Sequence, residues 1–139
     1  MALISVTRFR SRSIVFLPLF ALHASRAMGQ ARMADGLLSG VVQRQTDGAF
    51  WTMTVWRDES AMRAYVTSGA HRSAMPHLLN WAVEASVVRW VADSPTLPTW
   101  EEAVRRMHDV GRSSKLRHPG PDHAARTYPE ANTAGGMRL

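Results

Sequence analysis

His71 stands two residues beyond Gly69, in the stretch "TSGAHRSAM", where a helix is expected to close. An imidazole placed there has three chemistries open to it. It can pack at the surface with a hydrogen bond to a helix carbonyl, act as a general base near neutral pH, or ligate haem iron through one ring nitrogen. The negative end of the preceding helix would favour the imidazolium form. Turned inward, the ring would meet a pocket lined by Trp51 or Trp81. His77 follows six residues later, neither the three nor the four that sets two ligands on one helix face, so a paired-histidine metal site is not expected. His23 falls within a long helical stretch and is expected half exposed, while His108, His118 and His123 belong to a late polar region.

Sharper signatures are missing. The chain has no GxxxxGK[ST] phosphate loop, no GxSxG elbow, no HExxH pair and no GxGxxG after a strand, which removes phosphoryl transfer, serine hydrolysis and hydride transfer as readings. It has no cysteine, so disulfides, thiol redox chemistry and cysteine-bearing zinc sites are excluded. Its net charge of +6 comes from 16 arginines and Lys115 against 11 acids, and half of the excess lies from Arg112 onward. A nucleic-acid surface gathers cations on one helix or face; here the arginines of the body are scattered, and no nucleic-acid partner is expected.

The elements that must position these residues follow from period and punctuation. A length of 139 residues suits one domain with a modest core. "ALISVTRFR" reads as a first strand. The run "RFRSRSIVFLPLFALHA" imitates a secretory leader, but a β-like stretch precedes its arginines and Pro18 interrupts it. It is also too short to span a bilayer. It is therefore expected to be a buried helix, about Leu17 to Met33, in a soluble cytoplasmic protein with no membrane partner. Leu19, Leu22, Ala27 and Ala31 would form its inner face.

Asp35-Gly36 closes that helix. "LLSGVVQRQ" and "AFWTMTVWR", separated by Thr46-Asp47-Gly48, predict an antiparallel hairpin. The second of these strands is apolar on both sides, Trp51, Met53 and Val55 against Phe50 and Trp56, so both sides must be covered. Asp58 caps a helix whose stripe is Met62, Tyr65 and Val66 and which Gly69 ends. A further helical piece runs from His71 to Trp81, with Pro76 starting or kinking a turn. "VEASVVRWV" is the last long strand, "SPTLP" a break, and Thr99 the cap of an extra helix through Met107 with Trp100, Ala103 and Val104 inward. Strand, helix, strand, strand, helix, strand is the ferredoxin-like βαββαβ order, an α+β fold. With two helices on one sheet face, the other face is expected to be covered by the sheet of a second molecule, hence a homodimer. The folded unit is expected over residues 1–108. A polar extension, 109–139, follows, partly disordered from about residue 126.

The element order, the segment "FWTMTVWRDESAMRAYVTSGAHRSAM" and the strand "EASVVRW" resemble the DUF3291 family, within the antibiotic-biosynthesis monooxygenase-like superfamily of dimeric α/β barrels. Fainter is a similarity to spheroidene monooxygenase, a haem-dependent oxygenase. The resemblance implies a homodimer with a pocket between each sheet and its own helices that takes small apolar or aromatic molecules. Cofactor-free oxygenation, haem binding through His71, and a non-catalytic module whose pocket is filled by its own side chains all remain open. For the first, His71 and Asn80 are the candidate catalytic residues, with Trp51, Tyr65, Trp81 and Arg44 as candidate substrate contacts and no metal ligand. The tryptophans have a second reading as core and dimer contacts.

Overall fold

The computed structural model of the chain describes residues 2–11, 14–45, 49–114, 116 and 137–138. Alternating β-branched and aromatic residues form β1 (Ala2–Ser11). A single 3-10 turn, Ile14–Phe16, leads into α1 (Leu17–Met33) with Pro18 in the first turn, where its missing donor costs nothing. β2 (Leu37–Arg44) and β3 (Phe50–Trp56) follow as antiparallel neighbours. The expected turn Thr46-Asp47-Gly48 lies outside the described residues.

Next come α2 (Glu59–Val66) and α3 (Gly69–Trp81), then β4 (Ala82–Ala92), α4 (Trp100–Val110), β5 (Arg112–Ser113) and β6 (Met137–Arg138). Asp58 caps α2 by accepting the Ala61 N–H at 2.8 Å, and Thr99 caps α4 by accepting the Glu102 N–H at 3.2 Å. The sheet runs β5-β4-β1-β3-β2-β6 and is antiparallel throughout. Its four long strands in the order β4-β1-β3-β2 give the ferredoxin-like arrangement, with α2 and α3 together in the place of the second helix.

Strand register assigns each side chain to a face. Ile4, Val6, Met53, Val55 and Val88 lie together on one face, because Ile4 pairs with Val55 and Val6 with both Met53 and Val88. Trp100, Ala103 and Met107 of α4 pack on them in a closed core, each large side chain there contributing about 1.5–3 kcal/mol by leaving water. This corrects the expectation that only a second molecule could cover this face: the chain supplies its own helix. Beside that core the same face buries Arg8 and Glu84, joined from Arg8 Nη1 to Glu84 Oε2.

The opposite face lies under α1, α2 and α3 and is packed only at its two ends. At one end Phe9, Phe20, Phe50, Trp81 and Ala82 gather, with the Phe9 and Phe20 rings stacked 4.4 Å apart. At the other, Leu3, Trp56, Ala61 and Met62 gather with Tyr65 and Val66 around them.

One further expectation is corrected. The inner side of α1 is Phe20, Ala24, Ala27 and Ala31, of which only Ala27 and Ala31 were expected, whereas Leu19 and Leu22 face outward. Met137–Arg138 pairs with Val42 and Val41 as a strand; the rest of the stretch expected to be disordered, 126–136 and 139, lies outside the described residues. No helix among the described residues is long and apolar enough to cross a membrane.

Candidate functional site

Between the two end clusters the helix-covered face holds a cavity of about 340 Å³. Its cause is side-chain size. The sheet offers Ser5, Thr7, Thr52 and Thr54 in mid-strand, and the helices above offer Ala24, Ala27, Ala31 and Ala74. Small residues on both sides leave space that neighbouring rings cannot enter without breaking their own packing. Phe20 and Phe50 close one end; Trp56, Met62 and Tyr65 close the other. Most of the wall is apolar, with hydroxyls on the floor, which suits a small molecule bearing a few polar groups.

The polar groups are tied in place. Trp56 donates its indole N–H to the Thr54 hydroxyl at 2.9 Å, and that hydroxyl donates to the Ser5 carbonyl at 3.4 Å. Tyr65 donates its only hydroxyl proton to the Ala27 carbonyl at 3.0 Å, and burial pushes its pKa up to about 12. It is therefore a fixed neutral group and not a phenolate.

His71 enters the cavity from the first turn of α3. Gln30 of α1 holds that junction: its Oε1 accepts the His71 backbone N–H at 2.9 Å, and its Nε2 donates to the Ser68 carbonyl at 2.9 Å and the Tyr65 carbonyl at 3.1 Å. Gly69 is needed there, with φ at +58° and Gln30 Cδ only 3.1 Å from where a Cβ would stand. His71 Nδ1 lies 3.1 Å from the Val66 carbonyl. A carbonyl only accepts, so Nδ1 carries the proton and the neutral ring keeps its lone pair on Nε2. Burial lowers the pKa of His71; the Val66 bond opposes this and the nearby Arg89 charge reinforces it. The expectation that a helix end would favour imidazolium is thus overturned, since desolvation outweighs the carbonyl. The ring stacks obliquely on Tyr65, with centroids 4.9 Å apart.

Of the residues singled out from the sequence, the structure brings His71 and Tyr65 together in the cavity wall. The other four are elsewhere. Trp51 is buried on the α4 side of the sheet, with the Arg8 guanidinium 5.8 Å above its ring. Trp81 is in the end cluster, where its ring meets those of Phe16, His77 and His23. Asn80 lies beside it at the end of α3 and outside the cavity lining, and Arg44 is exposed, 5.8 Å from the centre of the Phe50 ring. Sequence reasoning missed Trp56, Arg89 and the floor hydroxyls. Thr52 and Thr54, alternating with Trp51 and Met53, were the available signal: two mid-strand polar residues on one face. Among the described residues no group of three or more His, Asp or Glu side chains could hold a metal ion.

The fold has close structural relatives at low identity. Rv0793 from Mycobacterium tuberculosis superposes with a TM-score of 0.60 at 17% identity, covering 68% of this chain and 97% of its own. SnoaB, a cofactor-independent oxygenase from Streptomyces nogalater, gives 0.53 at 20% identity, covering 70% and 97%. An antibiotic biosynthesis monooxygenase gives 0.59 at 13% identity, covering 66% and 99%. Identities this low establish the fold alone. No curated protein matches the chain. The model of a domain of unknown function, DUF3291, matches residues 22–138, which takes in α4, β5 and β6 and most of the cavity lining, leaving out Ser5, Thr7, Phe9, Phe20 and Ala21. The chain therefore belongs to the DUF3291 family.

Proposed function

We propose that the cavity binds a small, flat, apolar molecule and that His71 acts on it as a general base, in a monooxygenase-like reaction that needs no bound cofactor. The observation that carries this reading is the open cavity of about 340 Å³ with a neutral imidazole in its wall. A non-catalytic module would have its tryptophans and methionines fill the space; here Trp56 and Met62 stand at one end, Met28 belongs to the wall, and the space stays open. The volume suits a fused two- or three-ring system. His71 Nε2 is free to take a proton from a phenol or an activated methylene, and the anion so formed can reduce dioxygen. If a methylene becomes a carbonyl, one oxygen atom enters the substrate and the other leaves as water. SnoaB, a cofactor-independent oxygenase, shares the fold and so supports the class of chemistry without assigning the substrate.

A second reading draws on the same nitrogen. With its Nδ1–H held by the Val66 carbonyl, His71 would offer Nε2 as a ligand to a haem iron, which would supply the oxygen chemistry in place of the base. Titration with hemin separates the two: a Soret band lost in His71→Ala supports haem, and no band removes it. The homodimer that the family resemblance implies is part of the same proposal, and light scattering at micromolar concentration checks it.

For the first reading, 1-naphthol binding is followed by calorimetry in wild type and in His71→Ala, with turnover measured as oxygen uptake. Loss of oxygen uptake with unchanged melting places His71 in the chemistry. A large fall in stability with unchanged affinity places it in the structure instead.

A further inference from the structure

Base chemistry leaves one charged group of the cavity unused. Arg89 lies on β4 and lines the cavity. It pairs across the sheet with Ser5, whose hydroxyl accepts the Arg89 Nε–H at 3.3 Å. That bond takes one of five donors, and Arg89 is exposed where it lines the cavity, close enough for its charge to act on His71.

No carboxylate pairs with Arg89 among the described residues. The acid that acts on it, Glu59 at the start of α2, is engaged by Arg63, which donates to its Oε1 at 2.8 and 3.0 Å. Two more cations act on Arg89, the same Arg63 and Arg112 of β5. Arg112 is opposite Val87, two residues before Arg89 in β4, so it points to the same side of the sheet. Three positive charges against one engaged carboxylate leave the edge of an apolar cavity electropositive. A neutral ligand would gain nothing from this field, whereas an anion would both enter along it and relieve it.

We propose that the ligand of this cavity is an apolar acid, with its ring system between the end clusters and its carboxylate on the guanidinium of Arg89. The proposal rests on the small-molecule reading of the cavity and narrows it to carboxylated substrates. Arg is suited to the task because its planar fork matches a carboxylate with two parallel N–H bonds.

The test uses the full chain and two probes of one shape, 1-naphthoate and 1-naphthamide, by calorimetry at pH 7. Wild type is expected to prefer the acid by about tenfold, the ordinary gain of a charge-assisted bond over a neutral one. Arg89→Gln is expected to bring the ratio of affinities close to one, and Arg89→Lys to keep part of the preference, with melting temperatures confirming that both variants fold. Equal affinities in wild type, or a preference that survives Arg89→Gln, would overturn the proposal while leaving the cavity as a ligand site. If neither probe binds, the proposal and the small-molecule reading fall together.

Discussion

The two faces of the sheet are built from the same strands and differ in how completely they are filled. On the α4 face, Trp51, Met53 and Val55 of β3 meet Trp100, Ala103 and Met107. On the other, the alternate residues Phe50 and Trp56 meet rings at the two ends, Thr52 and Thr54 face alanines between them, and a cavity remains. One strand thus carries both a sealed core and an open site. The first face is one continuous buried cluster, whereas the second is divided into two clusters with the cavity between them.

Four experiments can break or sharpen this contrast. Trp51→Ala removes a side chain that is 1% exposed on the sealed face, and a loss of about 3–5 kcal/mol is expected in urea unfolding. A loss below about 1 kcal/mol would mean the two faces do not differ. Thr54→Val on the open face removes the acceptor of the Trp56 indole N–H, and about 1–3 kcal/mol should be lost through that orphaned donor. Thr99→Ala, which removes only the cap of the sealing helix, is expected to cost about 1 kcal/mol without altering naphthol affinity. Ala24→Leu should change stability least, raising it by about 0.5–1 kcal/mol as it fills the cavity, while naphthol binding disappears. Retained binding in that variant would place the ligand elsewhere.

A pH series tests the open face separately. Because the pKa of His71 in the fold lies below the ordinary 6.5, the unfolded chain binds the proton more readily than the folded one. The contribution of His71 is present in full above pH 6.5 and is lost as pH falls through the lowered value. Wild type should therefore lose stability from pH 7.5 to pH 5 more steeply than His71→Gln. Parallel slopes would show that the ring is not desolvated.

Much of this architecture was legible in the residues. Pro18, Gly36, Asp58, Gly69 and Thr99 mark element ends through backbone constraints and capping, which are local and readable. What could not be read is which of two apolar sides meets which neighbour. Leu19 and Leu22 lead into Ala27 and Ala31 about as well as Phe20 and Ala24 do, and the ring of Phe20 stacking on Phe9 selects the second. Trp51 was expected beside the ligand for a similar reason: alternation separates two faces but does not say which one is sealed. Arg89 was missed because its role depends on Ser5 in a strand 84 residues away. The extra helix was visible through its cap, yet its place on the second face was assigned to another molecule.

The two shortest strands have a consequence for solubility. β5 covers Ser86 and Val87 of β4, and β6 covers Val41 and Val42 of β2, so each flank of the sheet is interrupted partway along its row of backbone donors and acceptors. An unbroken flank would be a template for edge-to-edge polymerisation, and two dipeptides spaced far apart in the chain are enough to spoil both templates.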